Sequence, residues 1–283
     1  MTNWTEIITP KKKGKRLLAE IVSYKDLLFL LVRRDFVKEF KQTILGPLWF
    51  VIQPIFQTLI LLFVFGKVGS MGPNGIPQTS FYLAGTIIWN LFSETLVKTS
   101  ETFRENAGVF GKVYFPRMIA PLSVVFTNFL KFGVQFALFL VVYFYELIAY
   151  GGFEPNWTIL LIPVYLVLIC LSGLGFGLII SSMTTKYWDL RFLVKFGVQL
   201  LMFMSTVITP FELLKDKPVW MQNAIFANPT SSYIEAFRHA FLGHEGGTLY
   251  FNGLVYSIVI SISTLVIGIY IFNRVEKNFM DTV

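Results

Sequence analysis

The chain has 283 residues, of which 54% are hydrophobic and 17% aromatic, while only 14% carry a charge. A soluble domain has about 25% charged residues, so the composition excludes an ordinary soluble surface, and the abundance of large apolar residues excludes intrinsic disorder. The net charge of +7 would suit a nucleic-acid-binding protein, but ten of the 24 basic residues precede residue 48, beside the first apolar run. That placement is typical of a cytosolic membrane-proximal segment. We therefore predict a polytopic membrane protein that binds no nucleic acid.

Residues 1–47 are predicted to form a cytosolic basic segment that contains an amphipathic helix over 24–41. Helical spacing separates apolar from basic side chains, with Phe29, Val32, Phe36 and Phe40 on one side and Arg34, Lys38 and Lys41 on the other. Such a helix lies in the cytosolic membrane interface or packs its aromatic face against its own protein, and the sequence leaves both options open. Gly46 and Pro47 then turn the chain into the first membrane span.

Six apolar runs long enough to cross a bilayer follow within a single transmembrane domain over 48–283. The sequence thus predicts an all-α fold with spans over about 48–66, 80–97, 118–145, 157–183, 192–209 and 249–272. With the N-terminus inside, the inner segments hold 19 Lys and Arg residues and the outer segments hold 4, while Lys131 falls within a span. The positive-inside rule therefore predicts that both termini are cytosolic.

The outer segment over 210–248 contains a helix that is too short to span a membrane. Asn228 and Pro229 are typical of a helix start, and Gly243 follows the last predicted helical residue. Thirteen residues extend about 20 Å, against a hydrocarbon layer of about 30 Å. Together with a second short apolar stretch, the pattern predicts two re-entrant half-helices within about 211–243. A small helical hairpin on the surface is the alternative.

The chain lacks the motifs of an enzyme. It contains no glycine-rich phosphate-binding loop that ends in Lys-Ser or Lys-Thr, and its two histidines and single cysteine give no usual zinc-site spacing. No nucleophile and base are paired. Gly173, Gly175 and Gly177 imitate part of a dinucleotide motif, but within an apolar span they indicate close helix packing. We therefore expect no catalysis, no metal and no cofactor bound by this chain.

Polar side chains recur at helical spacing inside the first three predicted spans. Such residues are costly in a membrane and mark either a hydrated path for a polar substrate or hydrogen bonds between helices. Glu94 is also placed to pair with Lys98 one turn later. Recurrence over three helices favours the path, for which the candidates are Gln53, Gln57, Asn90, Glu94, Asn128, Lys131 and Gln135.

At this point the chain resembles the membrane subunit of type-2 ABC exporters, in the branch that exports O-antigen, capsule and teichoic-acid polymers. The most specific strings are Leu-Gly-Pro-Leu-Trp over 45–49 and Lys-Val-Tyr-Phe-Pro-Arg over 112–117. The resemblance extends over nearly the whole chain, including Arg-Arg-Asp-Phe over 33–36, Gln53-Pro54, Pro121, Lys-Tyr-Trp-Asp-Leu-Arg over 186–191, Asn228-Pro229 and Arg238. Lys186 departs mildly from the pattern, because the family usually has an arginine-rich start to that loop.

The resemblance implies a homodimer that binds two copies of a separate ABC ATPase subunit, which would hold ATP and Mg²⁺. It implies a coupling helix at about 100–112 and a second contact in the inner loop that follows the fourth span, with Glu101, Arg104, Glu105, Lys112, Asp189 and Arg191 as coupling residues. The amphipathic helix would transmit closure of the ATPase to the spans. The outer half-helices would shape an exit gate around Asn228, Pro229 and Arg238.

The substrate implied by the resemblance is a polyprenyl-diphosphate-linked glycan or polyol phosphate, moved across the bacterial inner membrane. Basic side chains near the cytosolic entrance are candidates to bind its diphosphate, namely Arg33, Arg34, Lys38 and Lys41. A solvated positive-inside face explains these residues equally well. The alternatives are export of a drug, chelator or lipid, a stand-alone channel or scaffold, and a membrane glycosyltransferase, which no acidic metal-binding cluster supports.

Overall fold

The computed structural model describes residues 22–69, 73, 75–106, 108, 115–184, 189–214 and 217–279, with side chains described as far as residue 275. The regular secondary structure within these ranges is helical, which confirms the predicted all-α class. The α-helices are α1 Lys25–Lys38, α2 Trp49–Leu61, α3 Gln78–Ser100, α4 Thr102–Glu105, α5 Ile119–Ala149, α6 Ile162–Thr184, α7 Leu190–Phe203, α8 Phe211–Leu214, α9 Val219–Phe226, α10 Pro229–Leu242 and α11 Phe251–Phe279.

Among the described residues, four helical segments are long and apolar enough to cross a membrane. They correspond to the first, third, fourth and sixth predicted spans and cover Gly46–Val68, Ile119–Ala149, Trp157–Thr184 and Phe251–Val275. The first of them joins a short 3-10 turn, α2 and a π-helical stretch, and the third joins a 3-10 turn to α6. Their outward faces carry large exposed apolar side chains, which suits contact with lipid.

The second predicted span is α3, and it lies at the centre of the protein. Its 23 residues extend about 35 Å, which is long enough to cross a bilayer, but its composition is too polar for it to be one of the four apolar segments. It packs against α2, α5, α6, α7 and α10, and 17 of its residues are buried. Because protein surrounds α3, its polar side chains lie against protein rather than lipid.

The fifth predicted span is shorter than expected. The prediction of one continuous helix over 192–209 is wrong at its C-terminal end, because α7 stops at Phe203 and the chain continues in turns and bends to Thr209. Carbonyl oxygens after that point accept hydrogen bonds from Asn228 and Arg238 instead of from the next helical turn. In the described part of 210–242, α9 and α10 lie where the two short helices were predicted, and α8 is an additional helical turn before them.

The short outer helix has the predicted bounds. It begins at Pro229, with Asn228 as its N-cap, and ends at Leu242, where Gly243 takes a positive φ of 79°. All 14 residues of α10 are buried, and the helix packs against α3, α6 and α11. The alternative prediction, a small helical hairpin on the surface, is therefore wrong for α10.

The aromatic face of α1 divides between the protein and the surface. The rings of Phe36 and Phe40 pack with that of Phe50 on α2, at centroid distances of 5.4 and 6.3 Å. Val32 is buried, while Phe29 is 70% exposed. The C-terminal half of the face thus packs on its own protein, and the N-terminal half remains available to a membrane surface.

Helices α6 and α11 approach closely through glycines. A Cβ atom added at Gly175 would lie 2.6 Å from backbone atoms of Thr264 and Leu265, and one added at Gly268 would lie 2.7 Å from the carbonyl oxygen of Gly175. These distances leave no room for a methyl group, because backbone atoms cannot rotate away as the end of a side chain can. The glycines therefore act in helix packing, as the sequence predicted for Gly175.

We expect Gly175→Ala to destabilise the protein, since the added methyl group forces α6 and α11 apart. Overpacking of this kind costs about 1–3 kcal/mol. Gly133→Ala in α5 is the matched control, because a Cβ atom there meets nothing within 4 Å. Thermal unfolding in detergent, followed by tryptophan fluorescence, should show a lower midpoint for Gly175→Ala alone. Equal midpoints for both variants would contradict the close approach.

Candidate functional site

Four charged side chains form a cluster where α3, α5 and the end of α1 meet, and we call Glu39, Glu94, Lys98 and Lys131 the charge cluster. Lys131 Nζ lies 2.8 Å from Glu94 Oε2 and also pairs with Glu39, which pairs in turn with Lys98. Lys98 Nζ and Glu94 Oε2 are 4.0 Å apart, so the predicted pair one turn apart is confirmed. Two positive and two negative groups thus balance each other around Lys131, whose side chain is only 5% exposed.

Amide side chains extend the polar contacts away from the charge cluster. Asn90 Nδ2 of α3 donates to Gln57 Oε1 of α2 at 3.0 Å, and Asn128 Nδ2 of α5 donates to Thr95 Oγ1 at 3.1 Å. These bonds connect α3 with a helix on either side. The predicted polar stripes of the first three spans therefore face one another.

Most of the candidate path residues line one small cavity. Its volume is about 10 Å³, close to the minimum for one water molecule, and its lining comprises Asn90, Leu91, Glu94, Asn128, Lys131, Phe132 and Gln135. Gln57 reaches this group through Asn90, whereas Gln53 is exposed on α2. In this conformation the polar side chains bond to one another between helices, and the space that they enclose is no wider than this cavity. Their role as a path lining stays a prediction.

The end of α1 is bonded to the segment that follows α4. Arg34 Nη2 donates to Asn106 Oδ1 at 3.0 Å and lies 2.7 Å from Asp35 Oδ1. Ser123 Oγ of α5 donates to Asp35 Oδ2 at 3.3 Å. These bonds join the amphipathic helix, the segment after α4 and the start of α5.

Of the predicted coupling helix over 100–112, the structure describes residues 100–106 and 108, where α3 ends at Ser100 and α4 covers Thr102–Glu105. Arg104 and Glu105 are exposed. Glu101 Oε1 lies 3.0 Å from Lys195 Nζ of α7.

The remaining coupling candidates lie apart from that turn or outside the described residues. Asp189 is exposed just before α7, and the Arg191 guanidinium lies over the ring of Phe192 at 4.6 Å from its centroid. Lys112 lies outside the described residues.

The basic residues proposed for the substrate entrance differ in whether they are bonded to other side chains. Arg33 and Lys38 on α1 are exposed, as is Lys41 just beyond it. Arg34 is partly engaged by its bonds to Asp35 and Asn106. The exposed residues keep their positive charge available to an anion, while Arg34 also bonds to the segment after α4.

Asn228 joins two helix ends. Its Oδ1 atom accepts the Thr230 N–H at 3.2 Å and so caps α10, as the sequence predicted. Its Nδ2 group donates to the carbonyl oxygens of Leu201 and Met204 at the end of α7, at 3.3 and 3.4 Å. The side-chain amide of Asn228 therefore provides hydrogen-bond partners for backbone groups at both the start of α10 and the end of α7.

The guanidinium of Arg238 is fully buried and bonds to three backbone carbonyl oxygens. Its Nε atom donates to Phe81 O of α3 at 3.1 Å, and its Nη atoms donate to Thr206 O and Val207 O at 2.5 and 2.9 Å. Glu235 Oε1 lies 3.4 Å from Nη1. Arg238 thus anchors α10 to α3 and to the turns after α7, whereas a role in an exit gate stays a prediction.

The sequence analysis missed Glu39 and Glu235. Glu39 falls among basic residues of an amphipathic pattern, and no local signal reports that it pairs with side chains about 60 and 90 positions away. Glu235 precedes Arg238 by three residues on one helix, and this spacing could have revealed the pair.

The matches to known proteins agree with this arrangement. Residues 26–242 match the family model described as ABC-2 type transporter. The chain belongs to this family.

The similar curated proteins are named as polysaccharide export proteins. The chain is 28% identical over 257 residues to the O-antigen export system permease protein RfbA of Klebsiella pneumoniae, covering 90% of this chain and 94% of the relative. It is 27% identical over 231 residues to RfbA of Myxococcus xanthus, with coverage of 81% and 85%. It is 24% identical over 254 residues to the polysialic acid transport protein KpsM of Escherichia coli, with coverage of 89% and 93%.

This ABC-2 type transporter chain is accordingly a multi-pass protein of the inner membrane and a transport subunit. The family region ends at residue 242, the last residue of α10. It therefore includes both the charge cluster and the Arg238 anchor.

We expect Lys131→Met to destabilise the transporter, because it leaves two carboxylates facing one lysine. Breaking a buried ion pair in this way costs about 3–5 kcal/mol. Adding Glu94→Gln should recover much of the loss, since one charge of each sign then remains. Thermal unfolding of both single variants and the double variant gives the coupling energy. Lys217→Met, at an exposed lysine, is the control and should change little. Additive effects of the two substitutions would contradict the cluster.

Arg238→Met should destabilise the protein by a similar amount, about 3–5 kcal/mol, and Glu235→Gln should recover only part of it. The second substitution removes the uncompensated carboxylate but cannot supply donors to the three carbonyl oxygens. The measurement is again the unfolding midpoint, with exposed Arg104→Met as the control. Full recovery in the double variant would show that the carbonyl bonds contribute nothing.

Proposed function

We propose that this chain is the membrane subunit of an ATP-driven exporter that moves a polyprenyl-diphosphate-linked glycan, such as O-antigen, outward across the inner membrane. The observation that carries the proposal is the similarity to O-antigen export permeases over about nine-tenths of both chains. The polar central helix adds support, since α3 and its neighbours present amides and paired charges where an exporter of apolar drugs or lipids would need an apolar lining.

The proposed assembly contains two copies of this chain and two copies of an ABC ATPase. Each copy contributes six spans with both termini in the cytosol, and α3 and α7 serve as the second and fifth. The length of α3 supports this count, and the bonded turns after α7 would continue the fifth span beyond the 14 residues of that helix. ATP and Mg²⁺ bind to the partner, because the present chain has no phosphate-binding loop.

Coupling is proposed to start at the exposed residues Arg104 and Glu105. Movement there reaches α1 through the bond between Arg34 and Asn106, and it reaches α3 and α5 through Glu39. Every contact along this route is an ion pair or a charge-assisted hydrogen bond. Such contacts resist separation more than apolar contacts between mobile segments would. Docking of the ATPase would thus shift the base of the central helix.

Substrate entry is proposed to use the exposed cations of the amphipathic helix. Arg33 lies one helical turn from the exposed Phe29, and Lys38 and Lys41 are exposed near the end of the same helix, where they are accessible to a diphosphate at the membrane surface. The glycan then follows the polar side chains of α2, α3 and α5 toward α10. Opening this path requires the bonds around Asn90 and Lys131 to exchange partners, because the cavity between them is too small for a sugar.

The test combines export with partner binding. We expect Arg104→Glu combined with Glu105→Lys to abolish surface display of the glycan and to prevent co-purification of an ATPase in mild detergent. The unfolding midpoint should not change, because both side chains are exposed.

Glu154→Lys combined with Lys217→Glu is the matched control, since both residues are exposed, the net charge is conserved and the pair lies in segments predicted to face outward. Normal export in the Arg104 and Glu105 variant would overturn the coupling assignment. Normal surface glycan in cells that lack this chain altogether would overturn the proposed function.

A further inference from the structure

A second and larger cavity lies at the opposite end of α3 from the charge cluster. Its volume is about 410 Å³, within the usual range of pockets that hold small molecules. Its lining residues on α3 are separated from Glu94 by about 23 Å along the helix. The cavity is lined by Leu62, Lys67, Gly75, Ile76, Pro77, Gln78, Thr79, Glu146, Tyr150 and Gly151. We call it the outer cavity.

The walls of the outer cavity are held in place by specific contacts. Glu146, near the end of α5, accepts the backbone N–H of Ser80 at 3.2 Å and also its hydroxyl, which fixes the start of α3 against α5. Gly75 and Gly151 have φ values of 84° and 68°, which allow both connecting segments to turn tightly around the opening. Glu245, beyond α10, packs directly on Gly75, so that the outer cavity adjoins the segment that follows the buried helix.

The charges of the lining favour a neutral ligand. Lys67 supplies one positive group and Glu146 one negative group, so an anion would meet the carboxylate and a cation would meet the ammonium. Among the described residues, the Oε1 atom of Gln78 accepts no hydrogen bond, and it is buried against Gly66 beside the cavity, where a rotation of the side chain would expose it to a donor. Such a buried acceptor is costly unless a donor reaches it. The lining therefore offers both donors and acceptors without a net charge.

A hydroxylated ring has the matching chemistry. Each sugar hydroxyl both donates and accepts, as the mixed groups of Lys67, Gln78 and Thr79 require. Tyr150 adds an aromatic ring that is 74% exposed and can pack against the C–H face of a sugar. The combination of an aromatic ring, amide, hydroxyl, ammonium and carboxylate suits a monosaccharide unit better than a lipid chain, which would leave these groups unbonded.

We propose that the outer cavity binds one sugar unit of the transported glycan on the outer side of the membrane. This inference rests on the proposed function, and it assigns a glycan-binding role to Lys67, Gln78, Thr79 and Tyr150. Binding there holds the emerging polymer beside α10 and disfavours its return.

The test uses the single native cysteine of the chain. Cys170 is buried, so Thr79→Cys would introduce the only accessible thiol. In intact cells, a membrane-impermeant maleimide should label this variant several-fold more slowly when the cells make their glycan than when glycan synthesis is blocked at its first step. Lys217→Cys, on an exposed residue that does not line the cavity, is the control and should label equally in both cells.

A second measurement addresses the aromatic ring. Tyr150→Ala should lower the export rate by roughly two- to tenfold, the loss expected for one aromatic contact, while Tyr150→Phe should stay near wild type. Tyr145→Ala, near the end of α5, is the matched control, with a side chain that is 67% exposed and does not line the cavity.

Equal labelling of Thr79→Cys in both cells, with normal export by Tyr150→Ala, would overturn this inference while leaving the proposed function intact. Failure of the proposed function itself would be detected separately, as unchanged surface glycan in cells that lack the chain.

Discussion

The architecture depends on the buried guanidinium of Arg238. An apolar interior has no water to bond a free carbonyl group, so a helix can end there only if another group supplies the missing donors. Arg238 supplies them to Thr206 and Val207 in the turns after α7, and at the same time it holds Phe81 near the start of α3. The cost of burying its charge is offset by these bonds and by Glu235. One side chain on a short helix thereby allows α7 to end early and keeps α10 inside the protein.

The central helix α3 connects this anchor to the charge cluster. Near one end it meets Arg238 and Glu146, and near the other end Glu94 and Lys98 meet Glu39 and Lys131. Gly85 leaves room for the guanidinium to approach the helix, since a side chain there would collide with it. Because α3 is packed on nearly every side, a displacement of its base is transmitted along its length rather than absorbed by bending. The proposed coupling therefore requires only that α1 pull on Glu39.

The features that the sequence predicted are those with local signals, such as the start of α10 at Asn228 and Pro229 and the pair of Glu94 with Lys98. Spans over the long apolar runs were also predicted to within a few residues. The early end of α7 was not, because the donors that replace its helical bonds lie on a helix about 25 to 35 residues later in the chain. Glu39 was missed for a similar reason, since its partners are on α3 and α5. Long-range pairs of polar groups leave no periodic pattern, and in this chain those pairs determine both the departures from a regular six-span helix layout and the candidate site.

The closed cavity beside Lys131 restricts how a transporter built from this chain can work. A polar path through the chain itself would require Asn90, Glu94 and Lys131 to leave their partners, and each buried group left unbonded costs about 1–3 kcal/mol or more. That cost is avoided only if hydroxyl or phosphate groups of the cargo form new hydrogen bonds with these side chains as the old bonds break. Under the proposed path, the polar groups would bond to one another when no cargo is present and to the cargo when it passes, so the same side chains would seal the resting membrane.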